Sequence, residues 1–277
     1  MSYKTILVHA DLSRHAPGRI RLAANIARAQ GAHLVGAAMT GISRYVYGES
    51  GIDLRHTVAA GYVDSLNEHA RQALEQFSAI AQECGVASHE ARLVRDDPEG
   101  GLVLLARFAD LVVLSQTDPA QPVPGVVRDL PEFVMLNAAR PVLIVPHAGE
   151  FERFDGHALV AWDGSLEASR ALGNALPLLQ VASAVTVVQF DTAEAGELAA
   201  QASQLVAWLG RHGIRAAVHE QRIAIDAGNA LLSAAADLQA GLLVMGGYGH
   251  TRFRELVLGG VTRTVLDTMT LPVLMSH

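Results

Sequence analysis

The chain has 277 residues, which is enough for one large domain or two ordinary ones. Apolar residues make up 50% of it and charged residues 18%, a composition that excludes a disordered protein. The formal net charge is −7 and there is no long basic run, which argues against a nucleic-acid partner bound through phosphate neutralisation.

Local features argue against a secreted or membrane protein. The first residues, MSYKTILVHADLS, carry one Lys and a short apolar stretch broken by polar residues, unlike a secretory signal or a membrane anchor. The most apolar stretch, 102–114, contains Arg107 and Asp110 and is too short to span a bilayer. Cys84 is the only cysteine, so no intrachain disulfide can form. We therefore expect a cytoplasmic protein.

Short apolar runs of strand length alternate with helical stretches through the first half of the chain. Strands are predicted over 4–10, 33–39, 89–94, 111–115 and 141–145. Helices are predicted over 15–30, 62–84, 98–107 and 128–138.

The second half shows the same alternation. Strands are predicted over 157–162, 184–190, 215–222, 242–246 and 271–275. Helices are predicted over 166–179, 193–212, 226–239 and 259–268. This order predicts an α/β protein whose parallel sheets are covered by helices on both faces. Right-handed crossovers then give doubly wound folds, with ligands expected at the carboxyl ends of the strands where the strand order reverses.

The two halves repeat one pattern. Residues 109–116 align with 240–247 at an offset of 240 minus 109, or 131, and Pro141 aligns with Pro272 at the same offset. The first strands align at a larger offset, because Asp11 corresponds to Asp163. The first copy therefore has extra residues, which we expect between Gly41 and Gly61. We predict two tandem domains, 1–148 and 149–277.

Glycines follow the buried strand predicted over 242–246. Gly246 and Gly249 are separated by two residues, and nine more precede Gly259 and Gly260. Glycine lets the backbone approach a ligand closely and turns successive N–H groups towards an anion. A helix that starts after Gly260 would favour a phosphate at its N-terminus. Turn formation alone would also explain these glycines.

The surrounding residues resemble the universal stress protein family, whose nucleotide-binding members carry G-x2-G-x9-G followed by Ser or Thr. Residues 158–165 are similar to the first strand of that family, with Asp163 at its tip. Residues 271–275 are similar to its closing Pro-Val-Leu strand. The resemblance implies a Rossmann-like, HUP-type fold in each half. One position departs from the pattern, since Gly260 stands where the family has Ser or Thr.

The resemblance also implies a site for ATP or another adenine nucleotide in the C-terminal half. Asp163 and the two residues before it would contact the nucleoside, Phe190 would pack on the adenine, and the glycines with their neighbours would hold the phosphates. Capping of a helix by Asp163 or Ser165 is an alternative that does not exclude binding. The implied nucleotide-binding residues are Ala161, Trp162, Asp163, Phe190, Met245, Gly246, Gly249, Gly259, Gly260 and Val261.

The first copy matches the fold but not this site. At an offset of 131, the four motif glycines are replaced by Ser115, Asp118, Arg128 and Asp129. Their side chains would crowd the path of the phosphates, and the two carboxylates would add negative charge. We expect no nucleotide in the first copy.

The sequence predicts no catalytic residues and no metal site. The 12 His residues have no metal-like spacing, a Ser/His/Asp set cannot be assembled, and the G-x4-G-K-[ST] phosphate loop is absent. The expected function is that of a universal stress protein, a nucleotide-binding sensor or adaptor in the stress response. Two alternatives stay open: a scaffold for dimerisation that binds no nucleotide, which Gly260 favours, and a slow ATPase.

The closing strand of each copy, 141–145 and 271–275, is expected at an edge of its sheet, where unpaired backbone groups invite pairing. Pairing of the two edges within one chain would give an internal pseudo-dimer, and pairing between chains a homodimer. The alternative is two independent domains joined at residues 147–156.

Overall fold

The computed structural model describes most of the chain. Gly259, Arg128 and most of the expected insertion between Gly41 and Gly61 lie outside the described residues, as does the side chain of Phe190. The described segments are 2–44, 59–120, 129–154, 156–191, 195–222, 226–249 and 260–277.

Five strands and four helices alternate in the first half of the described chain. The strands are β1 (Thr5–His9), β2 (His33–Met39), β3 (His89–Val94), β4 (Leu111–Ser115) and β5 (Val142–Val145). The helices are α1 (Ala16–Gln30), α2 (Ala59–Glu83), α3 (Pro98–Ala106) and α4 (Leu130–Asn137).

The same alternation continues in the second half. The strands are β6 (His157–Ala161), β7 (Ala184–Asp191), β8 (Ala216–Arg222), β9 (Ala240–Gly246) and β10 (Val273–Ser276). The helices are α5 (Leu166–Leu179), α6 (Ala195–Arg211), α7 (Ala227–Asp237) and α8 (Gly260–Thr268). The predicted elements are confirmed, with ends that differ by at most about three residues, the usual uncertainty of helix and strand boundaries.

The described chain divides into two compact units. The N-terminal unit comprises Ser2–Arg140 with Glu150–Arg153, and the C-terminal unit comprises Pro141–Gly149 with Phe154–His277. The C-terminal unit thus contains β5, the closing strand of the first sequence repeat.

The N-terminal unit contains four parallel strands in the order β3-β2-β1-β4. Helices α1 and α2 pack against each other, as do α3 and α4. Gly36 lies in the middle of β2, where the buried ring of Phe77 from α2 lies so close that a Cβ would fall 2.4 Å from it. The glycine therefore makes room for the largest apolar side chain of this core.

The C-terminal unit contains six strands in the order β5-β10-β9-β6-β7-β8. All neighbours are parallel except β5, which pairs antiparallel with β10. The apolar side chains of Leu143 and Leu274 are fully buried in this pair. The sequence-based prediction that the two closing strands pair within one chain is confirmed by this register.

No helix within the described segments is long and apolar enough to cross a membrane.

Candidate functional site

Two strands of the C-terminal unit, β6 and β9, lie side by side at the point where the strand order reverses. From β6 the chain continues outward through β7 and β8, whereas from β9 it continues in the other direction to β10. Val160 pairs with Val244, so Asp163 follows the end of β6 close to Gly246 at the end of β9. This reversal creates a crevice at the carboxyl ends of the strands, the usual ligand site of such folds. We call it the C-terminal crevice.

Asp163 forms a tight turn at the start of α5. Its Oδ1 accepts a hydrogen bond from the Ser165 amide at 2.9 Å, and Ser165 caps the helix by accepting from the Ala168 amide at 3.1 Å. The capping role falls to Ser165, one of the two candidates from the sequence. The Asp163 side chain is exposed to solvent, so one carboxylate oxygen remains available to a ligand.

Gly246 is required by packing between β9 and α5. A Cβ at this position would lie 2.6 Å from the Ala168 amide nitrogen and 2.8 Å from the Cβ of Glu167. Because the contacting atoms belong mainly to a helix backbone, no side-chain movement could relieve the overlap. The first turn of α5 therefore closes directly onto the end of β9, whatever ligand the crevice takes.

The loop after β9 is held by hydrogen bonds within the protein. The Gly247 amide donates to the Ser276 carbonyl at 2.9 Å, and the Tyr248 amide donates to Thr262 Oγ1 at 3.2 Å. Thr262 is buried in α8 and was not identified from the sequence, although it lies two residues after Gly260, where the family has a hydroxyl. These bonds fix the loop but occupy two amides that could otherwise face a phosphate.

Glu167 also borders the crevice and was missed by sequence reasoning. Glu167 is only 7% exposed as a whole residue. Its Oε2 lies 3.2 Å from the position that a Cβ on Gly249 would take. Within the described residues no side chain forms an ion pair or hydrogen bond with this carboxylate. A carboxylate that lies beside the glycine loop without an ion-pair partner among these residues is a feature of functional interest.

The other predicted site residues lie at the ends of β6 and β9, at the start of α8, or outside the described residues. Trp162 lies beside Asp163, and its Nε1 is buried without a hydrogen-bond partner among the residues described. Met245 is buried in β9 and Ala161 ends β6, while Gly260 and Val261 begin α8. The turn after Asp163 reaches the loop at Gly249, since Ser165 Oγ lies 3.7 Å from the position of a Cβ on Gly249. Gly259 and the Phe190 side chain lie outside what is described.

The N-terminal unit has an equivalent crevice between β1 and β4, where its strand order also reverses. A buried arginine fills it. Arg19 of α1 is 2% exposed, and its guanidinium donates to Ser115 Oγ at 2.7 Å and to the His9 carbonyl at 2.8 Å. It also forms an ion pair with Asp11 at 3.2 Å. The chain itself therefore supplies the cation that this crevice holds.

Asp118 is neutralised as well. Its Oδ2 lies 2.7 Å from Arg14 Nη2 and 2.9 Å from His15 Nε2. The hydrogen bond from His15, followed by those from the Ala120 amide and Arg14, lowers the pKa of Asp118 to about 2. Asp118 was expected to add negative charge to a phosphate path, whereas the structure shows it in a local ion-pair cluster.

Burial and neighbouring charges shift two pKa values in this crevice. Burial lowers the pKa of His9 to about 4, although Asp11 at 3.5 Å acts in the opposite direction. Burial alone would raise the pKa of Asp11, but Arg19, His9 and hydrogen bonds from Ser13 bring it well below its usual range. At neutral pH the crevice therefore holds a neutral His9 and the Asp11–Arg19 ion pair.

The shift at His9 predicts a loss of stability in mild acid. Unfolded His9 binds a proton near pH 6.5, whereas folded His9 resists it down to about pH 4. Between these values the unfolded state binds more protons, so the free energy of unfolding falls as the pH falls, by up to about 3 kcal/mol. Thermal unfolding of the wild type and of His9→Gln from pH 7 to pH 4 tests this, since the variant should lose less stability. Parallel curves for the two proteins would contradict the prediction. Asp11 does not contribute in this window, because its lowered pKa matters only below its unfolded value of 3.8.

Comparisons with known proteins agree with this architecture. No curated protein matches the chain in a sequence search. A universal stress protein from Archaeoglobus fulgidus DSM 4304 matches 98% of this chain and 97% of its own, with a TM-score of 0.74 and 19% identity. A putative universal stress protein from Pseudomonas aeruginosa UCBPP-PA14 matches 99% of this chain and 93% of its own, with a TM-score of 0.58 and 18% identity. At these identities the structural matches show the fold.

A universal stress protein structure from Archaeoglobus fulgidus in complex with dAMP matches 52% of this chain and 98% of its own, with a TM-score of 0.38 and 21% identity. The family model for the universal stress protein family matches residues 156–277, which contain β6 to β10 and the C-terminal crevice. Sequence and fold together lead to one conclusion: residues 156–277 match the universal stress protein family, and the chain has the fold of that family's members.

Proposed function

We propose that the chain is a stress-response protein that binds one adenine nucleotide in the C-terminal crevice. The observation that carries the proposal is the contrast between the two crevices. The N-terminal crevice is filled by Arg19, whereas Ala171 stands at the corresponding position of α5, at an offset of 152. Among the residues that the structure describes, the small side chain leaves Asp163 without a cation, so a ligand can bind its other carboxylate oxygen.

Two features at the end of β6 support a nucleoside in particular. The exposed Asp163 carboxylate can accept hydrogen bonds from ribose hydroxyls, and the Trp162 Nε1 group needs an acceptor. The choice of adenine comes from the resemblance of residues 158–165 and of the glycine motif to nucleotide-binding universal stress proteins.

We assign the N-terminal unit a structural role. Its crevice is closed by ion pairs of its own, and the first sequence repeat contributes β5 to the sheet of the C-terminal unit. This role also keeps the scaffold alternative open, in which the protein works through assembly. We place the protein in the cytoplasm, in keeping with its single cysteine.

Replacement of Gly249 by valine tests the nucleotide site. A side chain at this position would meet the Glu167 carboxylate and extend into the crevice, so we expect affinity for AMP to fall by roughly a hundredfold, or about 3 kcal/mol. Isothermal titration calorimetry of the full chain gives both the affinity and the number of sites. The matched control is Gly173→Ala, in the same unit, where a Cβ meets nothing within 4 Å.

The wild type should bind one AMP per chain, and the Gly173→Ala variant should bind it equally well. Two equivalent sites, or no binding of adenosine, AMP or ATP, would contradict the proposal. Release of inorganic phosphate from bound ATP would favour the slow ATPase instead.

A further inference from the structure

The two crevices differ at one pair of equivalent positions. In the N-terminal unit, His15 and Asp118 contact each other at 2.9 Å. At offsets of 152 and 131, their counterparts in the C-terminal unit are Glu167 and Gly249. The same two positions are again adjacent, since Glu167 Oε2 lies 3.2 Å from the Cβ position of Gly249.

The two units have different chemical groups at this pair of positions. The N-terminal unit joins a histidine to a carboxylate, each satisfying the other. In the C-terminal unit the first position holds an acid, Glu167, and the second holds Gly249, which has no side chain. The result is a carboxylate beside the glycine loop, on a residue that is largely buried, with no ionic partner among the described residues.

This carboxylate lies where the phosphates of a nucleotide bound in the C-terminal crevice would meet the loop after β9. The loop also offers fewer backbone donors to an anion, since the amides of Gly247 and Tyr248 already donate to the Ser276 carbonyl and to Thr262 Oγ1. Each additional phosphate would add negative charge beside Glu167 in a partly buried site, where like charges repel strongly. Ribose hydroxyls near Asp163 would not meet this repulsion.

We propose that Glu167 is a specificity-determining residue that makes the C-terminal crevice select a nucleoside or nucleoside monophosphate over a nucleoside triphosphate. This inference rests on the proposed nucleotide site and defines its ligand class. The carboxylate acts by excluding the wrong ligand rather than by holding the right one. Unlike the ion pair in the N-terminal unit, it leaves the crevice open to an uncharged sugar.

The test compares adenosine, AMP and ATP by calorimetry on the full chain, in buffer with EDTA so that no divalent cation bridges the charges. The wild type should bind adenosine and AMP more tightly than ATP. Glu167→Gln, which keeps the size of the side chain and removes its charge, should tighten ATP binding by roughly tenfold while changing adenosine binding less than about twofold. Glu220→Gln, an exposed acid on β8 of the same unit, is the matched control and should change neither.

The outcomes separate the two proposals. An unchanged ratio of ATP to adenosine affinity in Glu167→Gln, or weaker ATP binding, would overturn the role of Glu167 and leave the nucleotide site standing. Failure of all three ligands to bind either protein would overturn both. Glu167→Ala provides a second variant and should tighten ATP binding at least as much as Glu167→Gln.

Discussion

Replacement of Arg19 by alanine is expected to destabilise the N-terminal unit by about 3–5 kcal/mol. The change would leave the carboxylate of Asp11 largely buried without its cation, and it would remove the donors to Ser115 Oγ and the His9 carbonyl. Losing one partner of a buried pair costs more than the pair contributes, because the remaining charge stays desolvated.

Hydrogen exchange followed by mass spectrometry measures this effect locally, which matters because a chain with two compact units need not unfold in a single step. Peptides from β1 and β4 should lose protection in Arg19→Ala, and peptides from β6 and β7 should not. Arg21→Ala is the matched control. Arg21 lies on α1, as Arg19 does, and its replacement removes a partly exposed ion pair with Glu83 of α2. Such pairs contribute about 0–1 kcal/mol. Equal protection in the two variants would show that the Arg19 network carries little of the stability.

The fold could be predicted from the sequence because its signals are local. Each strand is a short apolar run, each helix has its own period, and the repeat at an offset of 131 fixes the correspondence between halves. The place of the crevice follows from the same information, since strand alternation implies a reversal of strand order and Asp163 falls at a strand end.

The occupants of the crevices could not be predicted in the same way. Arg19 and Ser115 are 96 residues apart in the chain, and only the packing of α1 across β1 and β4 brings them together. Glu167 looked like an ordinary residue in the first turn of a helix, where acids are common. Its significance depends on Gly249, since the missing side chain at that position leaves the carboxylate beside the backbone of the glycine loop.

Gly246 illustrates a different limit. The sequence places it correctly at the end of a buried strand, and the proposed reason was close approach of a ligand. The structure gives a reason that involves no ligand, because the first turn of α5 occupies the space where a side chain would go. A glycine motif therefore combines packing and binding requirements that spacing alone does not separate.

The last expected result concerns the closing strands. The register of β5 and β10 is self-complementary: Leu143 pairs with Leu274, its own counterpart at an offset of 131, with Ile144 opposite Val273 and Val142 opposite Met275. Equivalent strands that pair in this way form the kind of contact found in symmetric dimers. A chain that lacks β5 should therefore use a second copy of β10 in its place.

Expression of residues 150–277 alone tests this. The fragment keeps β6 to β10 but exposes one edge of β10, whose Val273, Leu274 and Met275 are fully buried in the full chain. Unpaired backbone groups beside apolar side chains favour edge-to-edge association. Sedimentation velocity should show a dimer or larger species whose fraction rises with concentration, beyond that of the full chain at equal molarity. A fragment that stays monomeric and folded would mean that β5 adds little to the C-terminal sheet, and that the second sequence repeat is stable without the first.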